Sequence, residues 1–150
     1  MKIAIIGTGN VGGALAKGWA SKGHEILLGV RNPQAFKGKE NLEGIKNIQI
    51  LPVAEAVAGA EVVVISTPAA KVKEVSGSLG DVTGKVIIDT MNSVFLKPDG
   101  FTNTADALIH VTQSADVIKC FNTTGFGNML DPVYGGEAID MFMAGSSEKG

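Results

Sequence analysis

The sequence predicts a doubly wound α/β fold, a mostly parallel sheet with helices on both faces, on the strength of two observations. Short β-branched apolar runs recur along the chain, several of them apolar on both faces, as strands covered by helices on either side must be. Stretches with helical character alternate with these runs. An alternating order of strand, helix and parallel strand winds into a sheet whose ligands sit at the carboxyl ends of the strands, where the strand order reverses.

Taken in order, the strands are expected at residues 3–6, 25–29, 48–51, 61–66, 85–89, 116–120 and 140–144, and the helices at 10–22, 53–58, 70–79 and 104–110. Helix punctuation agrees with this division. Gly23, Gly59 and Gly80 fall where C-terminal caps belong, and Pro52 falls where a first-turn proline is tolerated. Two glycine- and asparagine-rich portions, 90–103 and 122–136, are long for α/β connections and read as site-forming loops. No internal repeat, low-complexity segment or linker divides the chain.

Composition narrows the function classes. A chain of 150 residues that is 45% hydrophobic has the material for one core of ordinary size. A net charge of −2 without a Lys/Arg cluster argues against nucleic acid or an anionic membrane as partner, since both need a concentrated basic surface. The expected partner is a small molecule. The apolar opening run stops at Gly7, too short for a signal-peptide core, and no stretch reaches membrane-spanning length. The one cysteine, Cys120, excludes an internal disulfide and fits a reducing compartment, so a cytoplasmic location is expected and Cys120 reads as a small core residue. No metal ligands are expected.

The segment Gly7-Thr8-Gly9-Asn10-Val11-Gly12 carries most of the functional signal. A bare G-x-G-x-x-G match is weak, but this one follows a buried strand directly and opens a helix whose apolar positions Val11, Leu15 and Trp19 recur every four residues. Strand, glycine-rich turn and helix in that order make a Rossmann-type dinucleotide site. Gly7 allows the tight turn, Gly9 the approach of backbone to the pyrophosphate, and Gly12 close packing of helix on strand. The anion is then expected at the helix N-terminus, against free N–H groups and the positive dipole end.

NAD-selective domains place an Asp or Glu about 20 residues downstream, at the end of the second strand, to accept from the ribose 2′-hydroxyl. This chain reads Gly29-Val30-Arg31-Asn32-Pro33 there, with no carboxylate. Arg31 stands where a guanidinium can form a bidentate contact with the 2′-phosphate, so NADP(H) is the expected cofactor.

Proton-transfer chemistry is poorly provided for. Alcohol and hydroxyacid dehydrogenases need a positioned proton carrier, typically His or a Tyr/Lys pair. His24 precedes the second strand, away from the ligand edge, and His110 lies near a helix C-terminus, where the dipole accounts for it. The only tyrosine is Tyr134, and Ala138 four residues on excludes a Tyr-x-x-x-Lys pair. Asp89, with Thr90 and Asn92 beside it, reads as a loop anchor. No catalytic side chain is assigned. Direct hydride transfer between nicotinamide and a flavin or deazaflavin ring asks for little beyond stacking in a site shielded from water.

Taken together, the segments 7–12, 29–33, Ser66-Thr67-Pro68, Asp89-Thr90-Met91-Asn92, 119–125 and 140–145 resemble the NADP-dependent oxidoreductases that reduce the deazaflavin coenzyme F-420, and the related cytosolic domain of six-transmembrane metalloreductases. The resemblance runs along nearly the whole chain. It implies that Thr8 and Arg31, flanked by Val30 and Asn32, contact the 2′-phosphate, and that Asn10 and Val11 lie at the pyrophosphate. Ser66, Thr67, Pro68 and Asn92 would border the nicotinamide half, while Asn122, Thr123 and Thr124 would face the flavin-like partner. One departure is Val30, where the family often has Ser, which removes a hydroxyl donor to the phosphate.

Three functions are therefore carried forward. The first is an NADP(H)-dependent oxidoreductase passing hydride to or from a flavin-like or deazaflavin acceptor. The second is a non-catalytic NADP-binding sensor or scaffold module. The third is the dinucleotide half of a pyrroline-carboxylate-reductase-like or hydroxyacid dehydrogenase enzyme. Residues 1–150 are expected to form a single dinucleotide-binding domain. Ser146 or Ser147 reads as the cap of a further helix, and the resemblance implies a C-terminal helical portion that this chain lacks. An edge left open in that way would favour self-association or a separate subunit.

Overall fold

Six parallel strands in the order β3-β2-β1-β4-β5-β6 make the sheet of the computed structural model, which describes residues 1–150. They are β1 (Lys2–Ile6), β2 (Glu25–Val30), β3 (Ile48–Pro52), β4 (Val62–Ile65), β5 (Val86–Asp89) and β6 (Val117–Lys119). The chain starts in the middle, runs outward to β3, and returns across β1 to build the other half. The order therefore reverses between β1 and β4, and the carboxyl ends of these two strands flank the crevice in which α/β sheets of this kind bind ligands.

Helices α1 (Asn10–Ser21) and α2 (Lys39–Leu42) belong to one face, and α3 (Val53–Ala58), α4 (Val72–Ser76) and α5 (Thr104–Thr112) to the other. Alternation along β1 sorts its side chains between the two layers. Ile3 and Ile5 join Leu15, Ala16, Leu28 and Leu42 under α1, while Ala4 and Ile6 join Val57, Val63, Leu79 and Leu108 under the other helices. Strands covered on both faces have no polar side, which is why β1 and β2 beyond their exposed first residues, and all of β4, are apolar. Leu15 is buried, and Val11 and Trp19 pack against the same cluster, as the four-residue spacing predicts.

Three expectations need correction. The helix expected at 70–79 is a 3₁₀ turn, Ala69–Lys71, followed by the shorter α4. Its cap is accordingly Gly77, and Gly80 lies in the turn beyond. Residues 140–144 form no strand. Only Ala144 bridges, antiparallel, to Lys119, and Phe142 and Met143 stand exposed. At Ser146 and Ser147 the expectation of a cap holds: Ser147 Oγ accepts from the N–H groups of Lys149 (3.2 Å) and Gly150 (2.9 Å), the bonding pattern of an N-cap, and residues 148–150 form no helix. Within 122–136 there is a 3₁₀ turn, Phe126–Met129, and a hairpin of β7 (Val133–Tyr134) and β8 (Glu137–Ala138) closed by Gly135-Gly136. No helix is long and apolar enough to cross a membrane.

Candidate functional site

At the end of β1 the backbone turns through Gly7, whose φ of +105° is strained for any residue with a Cβ. A Cβ there would also lie 2.2 Å from the carbonyl oxygen of Ser66 at the end of β4. Gly12, in the first turn of α1, sits directly on this bend, and a Cβ on it would come within 1.9 Å of the Gly7 carbonyl oxygen. These two glycines bring the helix down onto the strand. Gly9, the N-cap of α1, differs from both, since a Cβ there would meet nothing within 4 Å.

Between them the loop leaves the backbone N–H groups of Thr8, Gly9, Asn10, Val11 and Gly12 without a partner in the chain, the first intrahelical bond being Gly13 N–H to the Gly9 carbonyl at 2.8 Å. Orphan donors at the positive end of a twelve-residue helix are a ready anion site. The loop fits a pyrophosphate on two counts. Its donors are free, and the one glycine whose missing side chain nothing in the chain requires is the one that faces open space.

A cleft of about 300 Å³ opens beside this loop. Gly9, Asn10 and Val11 form one wall, Ser66, Thr67, Pro68 and Ala69 after β4 the second, and Thr90, Met91 and Asn92 after β5 the third. Of the expected residues, the structure thus brings Gly9, Asn10, Val11, Ser66, Thr67, Pro68 and Asn92 together. Ala69, Thr90 and Met91 complete the walls, although sequence reasoning did not single out their roles. No lining side chain is titratable.

The third wall is anchored from below. Asp89, at the end of β5, is fully buried; one carboxylate oxygen accepts from Met91 N–H (2.9 Å), the other from Thr104 Oγ1 (2.5 Å) and Lys119 Nζ (3.2 Å). Lys119 also donates to the Met91 carbonyl. The loop-anchoring role expected of Asp89 is the one it plays here, while its link to Lys119, 30 positions away, has no local signature in the sequence.

Beyond the cleft on the β6 side, Asn122 Nδ2 donates to the Thr90 carbonyl (3.2 Å) and Thr123 Oγ1 accepts from Phe142 N–H (3.0 Å). Both therefore hold neighbouring chain rather than line the cleft. Phe121, just before them, takes a left-handed φ of +65°, uncommon for an aromatic residue, and its ring packs edge-on against Trp19 at 5.7 Å.

Beyond the cleft on the β2 side, Val30 is buried and serves as the strand end on which Arg31 is mounted. Arg31 itself is 88% exposed. Asn32 Oδ1 accepts from Gln34 N–H (2.9 Å), shaping the turn, and Thr8 Oγ1 donates to the Lys37 carbonyl (2.6 Å), tying the glycine-rich loop to the segment that follows β2. The sequence shows no carboxylate here, but the fold supplies one. Glu74 of α4 reaches Arg31 Nη1 at 3.4 Å and accepts from Lys71 Nζ at 2.8 Å. Hydrogen bonding and charge from Lys71 hold the Glu74 carboxyl below its usual range, with a smaller contribution from Arg31.

Solved structures carry the same architecture. A candidate F420-dependent NADP-reductase from Arthrobacter sp. FB24 superimposes with a TM-score of 0.84 at 28% identity, over 99% of this chain and 75% of that one. The hypothetical protein SMa0349 from Sinorhizobium meliloti gives 0.82 at 21% identity over the same shares, and glycerol-3-phosphate dehydrogenase from Coxiella burnetii 0.77 at 14%, over 98% and 47%. The latter two speak to the fold alone. No curated protein matches the chain in sequence. The family described as NADP oxidoreductase, coenzyme F420-dependent, matches residues 2–93, which hold the glycine-rich loop, Arg31 and all three walls of the cleft, and the chain belongs to that family.

Proposed function

We propose that this NADP-dependent oxidoreductase passes hydride between NADP(H) and a flavin-like or deazaflavin acceptor at the crevice between β1 and β4. The observation that carries this reading is a cleft beside free backbone donors whose ten lining residues include no titratable side chain. Reduction of a carbonyl requires a proton carrier at the substrate oxygen, and none of these residues is one. Hydride transfer between two ring systems requires only that they be held face to face and kept from water.

The roles follow from position. The N–H groups of Asn10 and Val11 would meet the pyrophosphate, with Gly7, Gly9 and Gly12 shaping the approach. Arg31 would bind the 2′-phosphate, with Thr8, Val30 and Asn32 holding the strand end and turn around it. Ser66, Thr67, Pro68 and Asn92 would border the nicotinamide ring, and Asn122 and Thr123 would shape the side from which an acceptor enters. When bound, the nicotinamide supplies or receives the hydride, and the chain positions it and excludes water. Residues 1–150 act in this reading as one dinucleotide-binding domain.

Oxidation of NADPH, followed by loss of nicotinamide absorbance with deazaflavin, FMN, FAD, ferric chelates and carbonyl or imine compounds in turn, tests the proposal. Turnover with a flavin or deazaflavin ring is expected. Tight NADPH binding without turnover of any acceptor would leave a sensor or scaffold, and turnover confined to carbonyl or imine compounds would overturn the proposal.

A further inference from the structure

Arg31, Glu74 and Lys71 form a solvent-open cluster of two cations and one anion where the end of β2 meets the helical segment after β4. The carboxylate is shared: one oxygen faces Arg31 Nη1 at 3.4 Å and the other Lys71 Nζ at 2.8 Å. Arg31 has no other side-chain partner in the chain. An exposed pair of this kind is weak in itself, so Arg31 can leave Glu74 at little cost. What matters for a ligand is that a negative charge stands beside the one guanidinium available to it.

We infer that Glu74 is a specificity-determining residue that tempers the preference for the phosphorylated dinucleotide, opposing a 2′-phosphate at Arg31 while offering an acceptor to a free 2′-hydroxyl. The second half of this role is the one an Asp or Glu at the end of the second strand fills in NAD-selective domains, supplied here from α4 instead. The inference rests on the reading that Arg31 meets the ribose 2′ substituent. With Lys71 bonded to it, Glu74 keeps its charge throughout the neutral range, so the opposition is present there. Across a few ångströms of water-exposed surface, a carboxylate facing a dianion should weaken binding about three- to tenfold, and less as salt rises.

Calorimetric titration of NADPH and NADH into the wild type, Glu74→Gln, Arg31→Ala and the double variant, each at low and high salt, tests this. All four should fold alike, since Arg31 and Glu74 are exposed and their pair adds little stability. Glu74→Gln is expected to tighten NADPH about three- to tenfold at low salt, with a smaller gain at high salt, and to leave NADH unchanged or weaker. In the Arg31→Ala background the same substitution should still favour NADPH over NADH. If Arg31→Ala weakens NADPH but Glu74→Gln moves neither cofactor, the role of Glu74 is overturned and the reading of Arg31 survives. If Arg31→Ala leaves NADPH unchanged, both fall.

Discussion

Asp89 and Lys119 are register partners at the carboxyl ends of β5 and β6, and their side chains meet at 3.2 Å with the carboxylate fully buried and the lysine 30% exposed. The asymmetry of burial predicts an asymmetry of mutation. Lys119→Met strands a buried charge, which costs about 3–5 kcal/mol in such cases. Asp89→Asn keeps an oxygen that can still accept from Met91 N–H and leaves a lysine that water can reach, so a smaller loss, about 2–3 kcal/mol, is expected, mostly from the bond that Thr104 makes to the charged carboxylate. Urea unfolding with an unchanged slope checks both, and equal losses would contradict the asymmetry.

Gly12→Ala should destabilise the free protein. Its methyl group would have to displace the Gly7 carbonyl, since the two would otherwise lie 1.9 Å apart, and overpacking of this kind costs about 1–3 kcal/mol. Thermal unfolding without cofactor reads the effect, and an unchanged midpoint would show that helix and strand are less tightly joined than the geometry requires.

Arg31→Glu should weaken NADPH by about 1–3 kcal/mol, the range for a charged hydrogen-bond partner lost or reversed, while NADH binds equally well or better. At 88% exposure Arg31 does not support the fold, so the loss should come without a change in melting temperature. Equal loss for both cofactors would contradict recognition of the phosphate.

Burial pushes the Cys120 thiol above its usual range, outweighing the opposing effects of the Phe121 N–H and of Lys119. Alkylation by iodoacetamide at mildly basic pH should therefore be slower than for a free cysteine and rise only beyond the ordinary thiol range. For stability the sign is the same. The folded state holds this proton more tightly than the unfolded, so the contribution is complete below the unfolded pKa and is lost as pH climbs through the folded one. Alkylation as fast as that of a model thiol would contradict the burial.

Much of this was legible in the sequence. The first two strands and the helix between them announce themselves through Gly7, Gly9 and Gly12 and through the spacing of Val11, Leu15 and Trp19, because a glycine-rich turn and a helical period are local signals. Pro52 and Gly59 bracket α3 for the same reason. The remainder depended on contacts between distant positions. Glu74 reaches Arg31 across 43 residues, and Lys119 reaches Asp89 across 30. The run at 140–144 is apolar enough for a strand, yet only Ala144 pairs and Phe142 and Met143 stay exposed, an outcome that depends on tertiary burial and not on local pattern. Helix α2 has a single buried residue, Leu42, and no periodicity to detect; the hairpin between Tyr134 and Glu137 falls in a stretch read as a loop, although its Gly135-Gly136 pair is a local hairpin signal.

Gly9→Val tests the central claim most directly, because the site and the fold part company at this residue. A side chain on Gly9 meets nothing within 4 Å, and its φ of −73° with ψ of −162° is extended backbone open to valine, so the variant should melt with the wild type. That same side chain would stand over the free N–H groups of Asn10 and Val11. Calorimetric titration with NADPH should give no detectable binding to a folded Gly9→Val protein whose wild-type parent binds. Retained affinity in the folded variant would contradict the claim that this loop holds the dinucleotide.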